Sequence, residues 1–202
     1  MKRYTYVILI ILSFVNLQAQ VKSIKMGERP PKFNFTIINP IGIDSLINPI
    51  GIDSLELEEL SNRAIILDFW ATWCAPCVKS FPHLNKLIAE YKDKPLTVIS
   101  ITYEPKDFIE HFLKKYELKS TIAIDNDFYM FRKYTGWAIP TMILINSKGK
   151  YAGRIHPKNL TEDIIDQLIK GEIPKVEQVP EDLYDPLKTE KYFRKLLKED
   201  KK

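Results

Sequence analysis

The sequence predicts an α/β domain with a mixed central sheet and helices on both faces. Three observations lead there. Two short, almost wholly apolar runs, Ala64–Trp70 and Leu96–Ile101, read as strands buried on both sides. Each is followed by a stretch with helical apolar spacing, and a helical crossover makes such strands parallel. Two later strands, Thr141–Ile145 and Tyr151–Ile155, are separated only by Asn146-Ser147-Lys148-Gly149-Lys150, a glycine-containing link that fits an antiparallel hairpin.

The remaining elements follow in order. Ala75–Tyr91 places Val78, Phe81, Leu84, Leu87, Ile88 and Tyr91 at helical spacing, with Pro82 inside as a kink point. Lys106–Tyr116 reads as an amphipathic helix with Phe108, Ile109, Phe112 and Leu113 on its apolar side. Thr121–Ile124 is a short extended run. Asp127–Tyr134 is a short helix capped by Asn126 or Asp127. Thr161 caps a last core helix that ends near Lys170-Gly171.

Flanking segments divide the 202 residues further. Residues 1–19 read as a secretory signal: Lys2 and Arg3, then an apolar run from Val7 to Val15, then Leu17-Gln18-Ala19 before the cut. An uncleaved anchor is the alternative, although the run is shorter than the roughly 20 residues a bilayer span needs. Residues 20–60 form an N-terminal extension. It holds an exact tandem duplication, Ile38–Leu46 repeated as Ile47–Leu55, whose Asn-Pro and Gly signals suggest a lengthened hairpin loop. Residues 61–171 form the core domain. Residues 172–202 form a charged C-terminal tail, in which Asp185-Pro186 could start a helix.

Composition narrows the function. Apolar residues make up 45% and charged residues 28%, as in an ordinary globular protein. The formal charge is +4, and falls to +2 without Lys2 and Arg3. So weak a balance argues against nucleic acid as the main partner.

An exported chain commonly uses cysteines for structural disulfides, yet this one has only Cys74 and Cys77. A bridge between them closes too short a loop to stabilise the fold much. Reactivity or metal binding must explain the pair. Zinc needs four ligands, and no further cysteine is present while His83, His111 and His156 are scattered. No metal and no cofactor is therefore expected. Reactivity fits better. Trp70-Ala71-Thr72-Trp73-Cys74-Ala75-Pro76-Cys77 falls where a strand turns into a helix, which puts Cys74 at a helix N-terminus. Unpaired N–H groups and the helix dipole there favour a thiolate, the nucleophile of disulfide exchange. Cys77, one turn on, can resolve the mixed disulfide that Cys74 forms.

Asp68 interrupts the first apolar strand six residues before Cys74. Burial would raise its pKa and suit it to proton transfer near neutrality; a solvated edge aspartate is the alternative. Trp70 and Trp73 can shield the site and offer an apolar landing surface, although core packing would explain Trp70 equally well. Nothing charged lies between the cysteines, which points to a reducing rather than a strongly oxidising couple.

The run Ile66-Leu67-Asp68-Phe69-Trp70-Ala71-Thr72-Trp73-Cys74-Ala75-Pro76-Cys77, with Pro82 and Ile139-Pro140-Thr141, resembles the thioredoxin superfamily. The leading Gly27–Phe33 segment and the extended middle resemble its TlpA/ResA-like branch of exported thiol-disulfide oxidoreductases, several of which act in cytochrome c maturation. The resemblance covers roughly residues 26–171. It implies a thioredoxin fold and a protein disulfide or dithiol as substrate. A reductase outside the cytoplasm further implies a membrane electron donor. Pro140 matches a cis-proline facing the cysteines, with the backbone of Ile139 left to pair with substrate; an ordinary trans turn proline is the alternative. Asp68 matches the buried acid that assists the second cysteine. Glu104 matches a glutamate near the cysteines in the ResA-like branch, with a helix-start acid as the alternative. Two other functions stay open: a peroxide-reducing relative, or a non-catalytic module whose tail and duplicated loop hold a partner. The sequence does not fix the oligomeric state.

Overall fold

A computed structural model describes residues 24–31, 36–38, 60–135 and 138–179. The signal segment, nearly all of the tandem duplication with its hairpin, and the possible helix after Asp185 lie outside the described residues.

Six strands form one mixed sheet in the order β1-β4-β3-β2-β5-β6. The strands are β1 (Thr36–Ile38), β2 (Ala64–Phe69), β3 (Leu96–Thr102), β4 (Thr121–Ile124), β5 (Thr141–Ile145) and β6 (Tyr151–Ile155). The helices are α1 (Ala75–Glu90), α2 (Lys106–Leu113) and α3 (Glu162–Ile169). Strands β2, β3 and β4 run parallel, as expected for helical crossovers, and β5–β6 is the expected antiparallel hairpin. The leading segment adds β1, antiparallel to β4.

Alternation along the strands sorts the core into two layers. Ala64, Ile66 and Trp70 point to one face, where Phe81, Leu84 and Leu87 of α1, Ile109 of α2, and Ile165 and Leu168 of α3 cover them. Ile65, Leu67 and Phe69 point to the other face. That face is covered by a short helical turn at Tyr129–Thr135, through Met130, Phe131 and Tyr134, and by Ile24 and Ile37. Both faces are helix-covered, one far more heavily. Burying large apolar side chains this way removes each from water at about 1.5–3 kcal/mol per residue, which is what holds the layers together.

Local chemistry sets the element ends. Thr161 accepts a hydrogen bond from the Ile164 N–H and caps α3 as predicted. Asn146 shapes the β5–β6 turn by accepting from the N–H groups of Lys148 and Lys150. Helix α1 continues through Pro82, and in the turn before it the Ser80 hydroxyl donates to the Cys77 carbonyl at 2.6 Å.

Two expectations are corrected. Helix α2 ends at Leu113 rather than Tyr116, and Phe108 is 66% exposed instead of lying on the buried side. Eight residues leave room to bury little more than Ile109, with Phe112 and Leu113 at the margin. The turn at 129–135 is also shorter and wider than an α-helix from Asp127 would be. Its cap is shared: Asp127 accepts from the Tyr129 N–H and Asp125 from the Phe131 N–H.

Candidate active site

Strand β2 and the loop after it deliver most of the site. Trp70 N–H still donates to Ile101 at 3.0 Å, after which the chain leaves the sheet and turns into α1. Cys74 is the N-cap of that helix, and Pro76 sits in the first turn, where its missing N–H is no loss. The backbone N–H of Cys77 donates to Cys74 Sγ at 3.3 Å. The sulfur therefore already receives one of the helix's otherwise unpaired donors. When the pair is reduced, that donor and the helix dipole favour charge on Cys74.

Cys74 and Cys77 are joined as a disulfide, with Cα atoms 5.3 Å apart. Cys74 is 4% exposed and Cys77 1%. The second cysteine is the more shielded, but the first offers solvent only a small edge. Trp73 is 65% exposed, and its indole N–H donates to the Tyr103 hydroxyl at 3.2 Å. Trp70 is instead a core residue, edge-on to Phe81 at 5.2 Å and tilted against Phe112 at 5.6 Å. Of Trp70 and Trp73, only Trp73 exposes its ring to solvent.

The Ile139–Pro140 peptide is cis. Ile139 is half-buried and packs against the cluster that contains both cysteines. Pro140 leads directly into β5, whose Met142 pairs with Asp68 of β2.

Asp68 is buried. It shares a sheet face with Ile66, Trp70 and Ser100, which is the face covered by the cysteine-bearing helix. The Ser100 hydroxyl donates to its carboxylate at 3.2 Å, and the Ser120 hydroxyl lies 2.6 Å from that of Ser100. Loss of water raises the carboxyl from 3.8 to about 7, only partly offset by the Ser100 hydrogen bond. The solvated-edge alternative does not hold here, and the group can change protonation near neutral pH.

Glu104 is buried at the end of β3 and accepts from both the N–H and the hydroxyl of Thr72, each at 2.6 Å. Thr102 supplies a longer contact at 3.4 Å. The carboxylate thus grips the loop that presents Cys74. The sequence reading missed Thr72, Ser100 and Tyr103. The hydroxyls of Thr72 and Ser100 could have been found as polar interruptions beside the cysteine motif and in β3. The ledge that Tyr103 forms with Phe128, ring centroids 5.3 Å apart, has no local sequence signal. Phe128 also holds a left-handed backbone (φ 58°), a conformation a bulky residue adopts only under tertiary constraint.

Among the described residues, no three His, Cys, Asp or Glu side chains gather as metal ligands. No helix among them is long and apolar enough to cross a membrane.

The sheet order, the cis-proline and the cysteine pair heading α1 define the class: a thioredoxin-fold protein of the thiol-disulfide oxidoreductase kind. Comparison with known proteins agrees. Residues 46–169 match the Redoxin family, and the chain belongs to it. A thiol-disulfide oxidoreductase ResA of Bacillus thuringiensis subsp. konkukian is 32% identical over 117 residues, spanning 57% of this chain and 68% of the relative. A ResA from Bacillus thuringiensis strain Al Hakam is 27% identical over 169 residues, 80% of this chain and 91% of the relative. The crystal structure of a putative thiol:disulfide interchange protein DsbE from Chlorobium tepidum superposes with TM-score 0.59 at 25% identity, covering 75% of this chain and all of that one. The TlpA/ResA-like resemblance read from the motifs is therefore borne out.

Proposed function

We propose that the chain reduces disulfides in polypeptides outside the cytoplasm, with Cys74 as nucleophile and Cys77 as the resolving thiol. The observation that carries this reading is the Cys74–Cys77 pair at the head of α1, whose cluster Ile139 of the cis Ile139–Pro140 bond packs against, over the sheet face that holds buried Asp68.

The reaction runs in two exchanges. Reduced Cys74, as thiolate, attacks one sulfur of the substrate disulfide. The substrate S–S bond breaks, a mixed disulfide forms, and the other substrate sulfur leaves as a thiolate that takes a proton. Cys77 then loses its proton to Asp68 and attacks Cys74 Sγ. The mixed disulfide breaks, the second substrate sulfur is released, and the Cys74–Cys77 disulfide remains. Two electrons have passed from the protein dithiol to the substrate. A dithiol donor, membrane-borne in this reading, restores the reduced pair.

The other residues hold the partners in place. Ile139 offers its backbone to an extended substrate segment beside Pro140. Trp73, with Tyr103 and Phe128, forms an aromatic ledge for apolar side chains near the substrate cysteine. Glu104 acts on Cys74 through Thr72, as a positioning residue. Uncharged Ala75 and Pro76 supply no extra stabilisation of the Cys74 thiolate, which supports a potential below about −200 mV. Export and a role in cytochrome c maturation, both implied by the ResA-like resemblance, complete the proposal.

The test is a Cys77→Ser chain produced in cells with its leader intact. It should accumulate polypeptides disulfide-linked to Cys74, recoverable by a reductant and identifiable by mass spectrometry. Cys74→Ser should capture none. Equal capture by both variants, or turnover of a protein disulfide by Cys74→Ser, would overturn the assignment.

A further inference from the structure

We infer that residues 172–179 form a strap that props the cis-proline loop and sets how firmly the chain grips a polypeptide substrate. This deepens the disulfide-reductase reading and rests on it.

The strap starts where α3 ends, at Gly171, whose left-handed backbone (φ 75°) reverses the chain. Its first residues are tied to the β5–β6 turn: the Asn146 side-chain amide donates to the carbonyls of Gly171 (3.1 Å) and Glu172 (3.2 Å). It then follows β6, the outermost strand. At Gly153 the approach is close: a Cβ there would lie 2.9 Å from Gln178 Nε2 and 3.2 Å from Val176 Cγ2. Gln178 Oε1 accepts from the Arg154 N–H at 2.6 Å, and the Val179 N–H donates to the Arg154 carbonyl at 2.7 Å. The strap thereby supplies partners that an outer strand otherwise lacks.

Its last described residue makes the functional contact. Val179 is 2% exposed and, among the described residues, forms an apolar cluster with Ala138. Ala138 directly precedes Ile139 and cis Pro140. The backbone read as pairing with substrate is therefore one residue from a contact made by the tail. A strap that only covered an edge would need contacts to β6 alone. Here the same residue that bonds the Arg154 carbonyl, Val179, also packs on Ala138. Pairing between substrate and the Ile139 backbone needs that loop held in one place. A small disulfide attacked directly by Cys74 has no such need.

The experiment compares Val179→Ser with Val179→Ile in the full chain. Two oxidants are used: a disulfide-closed peptide and 5,5′-dithiobis(2-nitrobenzoate). Val179→Ser should raise KM for the peptide by about 5- to 10-fold with kcat little changed, as expected for loss of a small buried apolar contact. Its rate with the small disulfide should stay within about two-fold of the parent, because no backbone pairing is involved. Val179→Ile should behave as the parent. Hydrogen exchange at Ile139 and Thr141 should quicken about ten-fold in Val179→Ser alone. Equal loss with both oxidants, or unchanged peptide KM, overturns the strap proposal. If the parent reduces neither disulfide, the reductase reading fails. The strap then stands or falls on the exchange measurement, and unchanged exchange at Ile139 and Thr141 sinks it.

Discussion

Replacing Asp68 by Asn should alter the pH dependence of stability by an amount the structure allows one to work out. The native carboxyl is raised from 3.8 to about 7 by burial, so over that interval the native state binds a proton that the unfolded chain has released. Stability then falls as pH rises. The contribution is complete below the unfolded pKa and is gone once pH passes the native value. A shift of roughly 3 pH units at 1.36 kcal/mol each gives about 4 kcal/mol. Asparagine keeps the shape and does not titrate, so Asp68→Asn should gain about 4 kcal/mol on the parent between about pH 4 and pH 8. Urea denaturation of the oxidised proteins measures this without interference, because the cysteines are then bonded and do not titrate. A stability difference that stays within about 1 kcal/mol over that range, or that widens in the parent's favour, would refute the claim of a desolvated carboxyl beneath α1.

Other perturbations test neighbouring steps. Asp68→Asn should also slow release of the mixed disulfide while sparing the first attack, seen as a trapped adduct in stopped-flow quench experiments. Glu104→Ala leaves the Thr72 N–H and hydroxyl without their acceptor and should destabilise the chain by about 2 kcal/mol, measured by denaturant titration. Trp73→Ala removes an exposed ring and should leave Tm within about 2 °C while raising KM for peptide disulfides. Trp70→Ala, by contrast, opens a hole between Phe81 and Phe112 and should cost roughly 3–5 kcal/mol by the same titration.

How much of this was readable beforehand depends on how local each cause is. Strands β2 to β6 and α1 were legible because apolar runs, helical spacing and the Gly149 turn are local signals. The cysteine pair was legible for the same reason: residue type and helix start are both written in a few positions. Phe108 departs from the apolar-face expectation because α2 stops at Leu113 and fully buries only Ile109, with Phe112 and Leu113 at the margin. The turn at 129–135 was misjudged because Asp125, placed just after β4, competes for the Phe131 N–H and reshapes the first turn. Glu104 was legible as an acid near the site, but its hold on Thr72 depends on β2 and β3 lying side by side. Val179 meeting Ala138 is the extreme case, since only the path of the tail along β6 joins them.

The two carboxylates divide the work by where the sheet puts them. Asp68 lies within β2, hidden from water beneath α1, and its remaining polar neighbour is a neutral hydroxyl. Glu104 lies just beyond β3, where a backbone N–H and two hydroxyls donate to it. Asp68 has one long donor and is raised by burial to about 7; the bonds that Glu104 accepts tie it to the Thr72 loop. The adjacent parallel strands β2 and β3 thus bring a buried carboxyl to the sheet face under α1 and a second carboxylate to the Thr72 loop. The same register, Asp68 opposite Ser100 and Phe69 opposite Ile101, seats both acids beside the strand and loop that lead into Cys74. A one-residue slip would turn Asp68 away from the face that α1 covers.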